Sequence, residues 1–359
     1  MDRQFEYVFP AIRGIQAGRE FYVSMCPLRL LPKLFLFNEA ELVPELRAQR
    51  QLNRGRLPEM ARYIASNRDS YVFSAITASV DADVRFVPAP EAEDLGVLHV
   101  PMKARFIIND GQHRRAAIEM ALQDCPELAD ESIAVVFFLD RGLARCQQMF
   151  ADLNRYAIRP PRSLSVLYDH RDDKARLSKL VIERLPDFKA LVSLEKSSLS
   201  AGSKALFTLS ALCTATTALL ANHALGDERD DVVVAFWREI HTQMLEWQDV
   251  QKGQMTAGAF RDQYIHAHGV VLHALGRVGN ALLHHDSHGW RGKLKGLRKV
   301  DWRRSNPAWE GRATIGGNVT KSFQNVVLTT NLIKQQLGLA LTPEEQRHED
   351  AMGRGERAA

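Results

Sequence analysis

The sequence predicts an α+β protein in which a mixed α/β N-terminal domain precedes a mostly α-helical C-terminal domain. Three observations predict it. Up to about residue 140, segments rich in β-branched and aromatic residues alternate with helical ones. Beyond that point apolar residues recur at helical spacing in one segment after another. A chain of 359 residues also exceeds what one ordinary core organises. The expected divisions are 1–145, then 146–342 with a basic surface, then a charged tail over 343–359 that has no apolar face and frays.

In chain order, "YVFPAIRGIQAGREFYVSM" reads as two extended segments around a turn at Gln16-Ala17-Gly18. "NEAELVPELRAQRQLNRGRLPEMARYIASNRD" is helical in pattern, with Leu57, Met60, Ala61 and Ile64 at helical spacing and Pro58 tolerated in a first turn. "SYVFSAITASV" reads as a strand, "PAPEAEDLG" as a loop, "VLHVPMKARFIIND" as one or two strands and "SIAVVFFLD" as a buried strand. The later segments "DVVVAFWREIHTQMLEWQDV" and "AFRDQYIHAHGVVLHALGRVGNALL" are expected as helices. "LFTLSALCTATTALLANHAL" is the longest apolar run, but its Ser and Thr content suits a buried helix better than a membrane span.

With 45% hydrophobic and 25% charged residues, the composition is that of a globular protein. A net charge of +4 permits nucleic acid as a partner without requiring it. Cys26, Cys125, Cys146 and Cys213 form no CxxC pair, which argues against a zinc ribbon or disulfide framework and suits a reducing cytoplasm. The opening residues contain no apolar run of the signal-peptide kind, so a cytoplasmic protein without a membrane anchor is expected.

The stretch "FIINDGQHRRAAIEMAL" carries the clearest chemistry. A strand ends at Asp110-Gly111 and a helix begins at once, where unpartnered N–H groups and the helix dipole favour an anion. Arg114 could supply a bidentate fork to a phosphate there, and His113 could donate a hydrogen bond or titrate. Asp110 and Gln112 are the only candidates here for catalysis, as a magnesium ligand and a water-orienting group. The alternative is that the arginines pair with local carboxylates such as Asp110 and Glu119. No Walker A pattern occurs, and no metal site is expected.

"DGQHRRAA" resembles the signature of DGQHR-domain proteins. "YVFPAIRGIQAGREFYVSMCPLRL", "LNRGRLPEMARYI", "DLNRYAIRPPRSLSVLYDHRD" and "DWRRSNPAWEGR" extend a resemblance to the DndB family of DNA sulfur modification proteins over nearly the whole chain. That resemblance implies a DNA-binding repressor of a bacterial phosphorothioate-modification operon. A more distant similarity, to the ParB/sulfiredoxin fold, implies a nucleotide site at the Gly111–Arg114 turn, such as for ATP with magnesium, and marks Gly111, His113 and Arg114 together as candidate phosphate ligands. It places Arg54, Arg56 and Arg62 on a neighbouring helix. Gln112 stands at the sulfiredoxin cysteine position, so that family's thiol chemistry is not expected.

Other clusters have plainer uses beside their chemical ones. Cys26 precedes Pro27 with Arg29 near, as in a redox or sulfur sensor, although buried packing is the commoner role. "NRYAIRPPRS" offers Arg155, Arg159 and Arg162 as a phosphate clamp or a solvated linker. "WRGKLKGLRKVDWRR" is the leading DNA-contact segment, through Arg291, Lys293, Lys295, Arg298, Lys299, Arg303 and Arg304. Its tryptophans could equally anchor it to the core. Asp169, His170, Asp172 and Asp173 suit ion pairing better than a metal. His266 and His273 are expected two turns apart on one helix face, with His268 off it.

The first functional reading is thus a regulator that binds double-stranded DNA upstream of its own operon. Its further partners would be other phosphorothioation proteins and further copies of itself. The competing reading is a nucleotide-hydrolysing component of the same system, and the third a structural partner of the modification enzymes.

Overall fold

The computed structural model describes residues 5–35, 54–139, 143–155, 160–222, 226–285 and 289–354. They fall into two compact units, 1–158 and 159–359. The division therefore comes after a helix, Leu143–Arg155, that the sequence reading assigned almost wholly to the second domain. That helix packs on the first unit's last sheet strand.

The first unit contains β1 (Glu6–Gln16), β2 (Arg19–Pro27), α1 (Leu57–Ser66), β3 (Ile76–Asp81), β4 (Arg85–Ala89), β5 (Ala92–Pro101), β6 (Arg105–Asp110), α2 (Gln112–Asp124), β7 (Ser132–Leu139) and α3 (Leu143–Arg155). Seven strands form one sheet in the order β4-β5-β1-β2-β7-β3-β6. All neighbours are antiparallel except β3 and β7. The expected first hairpin forms, with Ala17 and Gly18 at φ 49° and 71° between paired Gln16 and Arg19. Two consecutive positive φ values give the turn a twist that matches its strands.

The loop expected over "PAPEAEDLG" is instead a hairpin. Arg85–Ala89 pairs with Ala92–Pro101, and the latter also pairs along β1. Pro88 is tolerated because β4 is the edge strand. The strand expected from Ser70 begins only at Ile76. Residues 36–53, part of the helical pattern read upstream of Leu57, lie outside the described residues.

Period-2 alternation puts Phe9, Tyr22, Cys26, Leu98, Val135 and Phe137 on one buried face of the sheet. Ile64 of α1 and Ile118 of α2 belong to the same core. Helices α1 and α2 also pack on each other, which brings their N-terminal turns into register with the end of β6.

The second unit is mainly helical: α4 (Arg162–Tyr168), α5 (Asp173–Arg184), α6 (Leu209–Leu219), α7 (Arg229–Gln243), α8 (Leu245–Gln251), α9 (Ala257–Gln263), α10 (Gly269–His285), α11 (Trp290–Leu294), α12 (Phe323–Gln336) and α13 (Pro343–Gly353). Its core gathers Phe188, Phe207, Phe236, Trp237, Trp247 and Phe260 around α6 and α10. The Trp237 indole donates to Thr216 Oγ1 at 3.0 Å. Among the described residues no helix is long and apolar enough to cross a membrane.

Two segments read as single helices are interrupted. One breaks at Met244, whose φ, ψ of −92°, 81° are not helical. The other breaks over Tyr264–His268, where Tyr264 bridges Arg303 and Ile265 N–H donates to Trp302 O at 2.9 Å. Tertiary hydrogen bonds there replace the helical ladder, and His266 lies before α10 rather than on a face with His273.

The tail expected to fray from residue 343 is also corrected. Thr342 and Glu345 form a capping box that starts α13. Glu345 then accepts Lys334 Nζ at 2.7 Å with both side chains almost fully buried. Glu349 takes a bidentate fork from Arg312, both bonds at 2.6 Å. Two acids that look solvent-seeking in sequence, Glu345 and Glu349, thus serve as internal partners for buried cations.

Helices α6 and α10 approach so closely that a Cβ on Gly276 would overlap the carbonyl oxygen of Ala215. Replacing a helical glycine by alanine ordinarily stabilises by about 1 kcal/mol. At this position the overlap reverses the sign. Gly276→Ala is expected to destabilise the protein by about 1–3 kcal/mol, read from chemical denaturation midpoints.

Candidate functional site

The Gly111 turn follows directly from the way β6 feeds α2. Gly111 has φ +108°, which glycine adopts without steric penalty. It is the N-cap of α2 and offers no capping side chain. A Cβ here would lie 3.0 Å from Ile76 Cγ1 and 3.1 Å from Arg114 Nη2, because Arg114 folds back over the turn.

Arg114 donates through Nη2 to Asp110 Oδ2 at 2.6 Å and through Nη1 to Ser74 Oγ. Its side chain is only 15% exposed. Arg115 is more deeply buried and donates to Glu119 Oε2 at 2.7 Å. Gln112 is buried and donates to Ile108 O at 3.3 Å. The local-pairing alternative is therefore the one adopted by both arginines. Asp110 is occupied by Arg114, and the Gln112 amide is turned toward the backbone.

The side chains that converge on the turn are His113 and Arg56. Desolvation and then the nearby Arg56 charge hold His113 below its ordinary pKa, which favours the neutral ring. Arg56 is exposed and closes the short turn that leads into α1. Arg54 and Arg62 are exposed on the same segment, and Arg62 Nε donates to Pro58 O at 3.3 Å.

Cys26 does not have the environment expected of a reactive thiol. It is fully buried on the inner face of the sheet, and desolvation pushes its pKa up to about 12. Arg29, expected to activate it, pairs with Asp130 instead. Burial outweighs the sequence proximity of the arginine, so Cys26 is a core residue.

The basic segment has a clear division between sides. Trp290, Leu294, Leu297, Val300 and Trp302 are buried, while Arg291, Lys293, Lys295, Arg298 and Lys299 are exposed. The tryptophans act as anchors, and Arg291 stacks on Trp290 with Cζ 5.2 Å from a ring centroid. Arg298 Nη2 donates to Thr242 O at 3.3 Å. Arg303 is engaged by Asp301 in two bonds of 2.9 Å, and Arg304 by Gly317 O at 2.6 and 3.0 Å. Arg303 and Arg304 are thus drawn into local structure, and 291–299 is the part that presents charge outward.

Of the three arginines expected as a clamp, Arg155 ends α3 in the first unit and Arg162 opens α4 in the second. Arg159 lies outside the described residues. Asp169 and Asp172 are turned to backbone N–H groups: Asp169 accepts from Arg171 and Asp172, and Asp172 accepts from Lys174.

A family model described as DndB, DNA-sulfur modification-associated, matches residues 9–340. The chain belongs to the DndB family. No curated protein and no solved structure matches it. The matched span includes the Gly111 turn and the basic segment, so both are features of the DndB region of the chain. Membership ties the chain to DNA sulfur modification.

The sequence reading missed a cavity of about 1350 Å³ in the second unit, with Arg277, Lys174 and His273 on its wall. Arg277 follows His273 by one turn of α10, a spacing visible in the sequence. Recognition of a site also required α4, α5 and α6, which come from distant segments.

Two outcomes follow. Native protein treated with iodoacetamide at pH 8 is expected to remain unlabelled at Cys26, with rapid labelling only in denaturant. Peptide mass mapping reads this, and fast native labelling would contradict the buried assignment. The second concerns acid stability. Desolvation lowers His266, His268 and His273, the last to about 4, where Lys321 and Arg277 add to the effect. Above pH 6.5 these rings are neutral in both folded and unfolded chains. Below it the unfolded chain binds protons that the native rings refuse, so stability falls as pH drops from 6.5 towards 4. His273→Asn is expected to flatten that fall in melts between pH 7.5 and 4.5.

Proposed function

We propose that this DndB-family chain is a cytoplasmic DNA-binding regulator that represses its phosphorothioate-modification operon. The observation that carries this reading is the 291–299 segment. Arg291, Lys295, Arg298 and Lys299 are exposed there on a base held by buried Trp290, Leu294, Leu297 and Val300. Phosphate contacts by such cations supply most of the affinity of a DNA-binding surface. A rigid apolar base lowers the entropy lost when they engage. The proposed partners are double-stranded DNA upstream of the operon and other proteins of the modification system, with assembly into homo-oligomers part of the proposal.

The Gly111 turn is the proposed modulating site, of the ParB/sulfiredoxin-like kind. The strand–glycine–helix junction, the uncapped first turn of α2 and the approach of Arg56 to His113 support binding of a phosphate or nucleotide there. The same geometry lends less to the hydrolytic reading. Gln112 would have to leave Ile108 O to orient a water, and Asp110 would have to leave Arg114 to hold magnesium.

Fluorescence anisotropy tests the reading by comparing the operon's upstream duplex with a scrambled duplex of equal length across a salt series. Preference for the upstream duplex at moderate salt is expected. The double variant Lys295→Gln/Lys299→Gln should weaken both complexes and reduce the slope of log K against log salt by about 2. Equal, salt-erased binding to both duplexes would overturn the repressor reading. An unchanged slope would move the DNA surface away from this segment.

A further inference from the structure

The cavity in the second unit lies among α4, α5, α6 and α10 and the turn between α12 and α13. Its walls hold both signs of charge, but the acids are already occupied. Asp169 accepts two backbone N–H groups at 2.9 Å, and Asp172 caps α5 by accepting Lys174 N–H at 3.0 Å. Glu345 takes Lys334 through both oxygens at 2.7 Å and Thr342 N–H at 2.9 Å. Arg162, Lys174, Arg277 and Lys293 share the same walls and make no ion pair among the described residues.

A second concavity, of about 560 Å³, shares Arg162 and Thr214 with the first and adds Lys321. The Lys321 ammonium lies at the head of α10, 3.4 Å from where a Cβ on Gly269 would stand. A cation at that end of a helix opposes the dipole. Desolvation and Arg162 lower the Lys321 pKa, while Lys321 and Arg277 both act on His273 between them. His273 Nδ1 is buried without a hydrogen-bond partner. Neighbouring cations, a helix N-terminus and an unsatisfied ring nitrogen thus occur together, with Glu345, already bonded to Lys334, also acting on Arg277. Such an arrangement is electrostatically unfavourable until an anion enters it.

We propose that this cavity binds a small polyanion of the phosphate class, of nucleoside di- or triphosphate size, with Arg162 and Arg277 as its principal anchors. Two guanidinium groups on one concave wall suit phosphate oxygens, which accept paired N–H donors. The volume suits a small ligand. Among the described residues no Phe, Tyr or Trp lines the cavity, so the contacts favour the phosphates over a stacked base. Arg291, Lys295, Arg298 and Lys299, which are exposed and do not line the cavity, suit duplex DNA better. The cavity belongs wholly to the second unit and is a different site from the Gly111 turn.

Isothermal titration of the full chain with pyrophosphate, tripolyphosphate and ATP tests the assignment. Binding of at least one probe is expected, with a tenfold or greater loss of affinity in Arg162→Gln and in Arg277→Gln, each checked for a wild-type circular dichroism spectrum. A readout without substitutions accompanies it: tripolyphosphate should protect Lys174 of the wild-type chain from acetylation, measured by mass spectrometry. No binding by any probe at millimolar concentration would overturn the proposal. So would binding abolished by Arg56→Gln and untouched by the two cavity variants, which would place the anion at the Gly111 turn. Full displacement of tripolyphosphate by a random-sequence duplex would assign the cavity to DNA backbone instead. Absence of upstream-duplex preference would defeat the repressor reading and leave this test unaffected.

Discussion

The close approach of α6 and α10 organises the second unit. Gly276 lets the backbone of α10 settle against Ala215 of α6, and Gly279 does the same against Leu219 and Phe236. With the glycines directed inward, Val271, Leu275, Val278 and Leu282 join the core. His273, Arg277, Asn280 and His284 are left along the wall of the cavity. The spacing of the polar residues, four, three and four, is that of one helix face. One steric constraint therefore sets both the packing of the unit and the chemistry of its concavity.

Charge in this protein is understood by asking which cations have found a carboxylate. Arg114, Arg115, Arg303, Arg312 and Lys334 have, and their partners are Asp110, Glu119, Asp301, Glu349 and Glu345. Arg303 and Asp301 form a surface pair that adds little to stability. Lys334 and Glu345 form an almost fully buried pair, in which either residue alone would be an uncompensated charge. Exposed cations of the 291–299 face and several cations around the cavity make no such pair among the described residues. The distinction separates charge tied into the structure, Arg114 of the DGQHR motif included, from exposed charge such as that of Arg56.

The sheet of the first unit makes the Gly111 turn by an ordinary route. Strand β6 lies at the edge of the sheet beside β3, so its last residue can leave the plane without a second neighbour to displace. Ile76, at the start of β3, contacts the space above Gly111, and α2 returns over the buried face through Ile118. Cys26 belongs to that same face, which is why its thiol is inert despite an arginine three residues away.

Much of this was legible in the sequence because it depends on local patterns. The turn at Gln16-Ala17-Gly18 located β1 and β2, a short apolar run located β7, helical spacing located α1, an apolar run broken by Ser and Thr located α6, and Asp110-Gly111 marked the turn into α2. The outward charge of 291–299 was likewise visible, since apolar residues at 290, 294 and 297 imply a buried side beneath it. The family resemblance rested on motifs that the match over 9–340 supports. Tertiary structure decided what depends on partners distant in sequence. It drew β4 and β5 out of an apparent loop by pairing with β1, broke a helical run at Tyr264 in favour of Arg303 and Trp302, and ordered the tail from Pro343 by giving its acids buried cations to meet. It also assigned Arg114 to Asp110 and buried Cys26. Periodicity and local propensity act within a few residues. Charge pairing, desolvation and cavity formation depend on which surfaces the fold brings together.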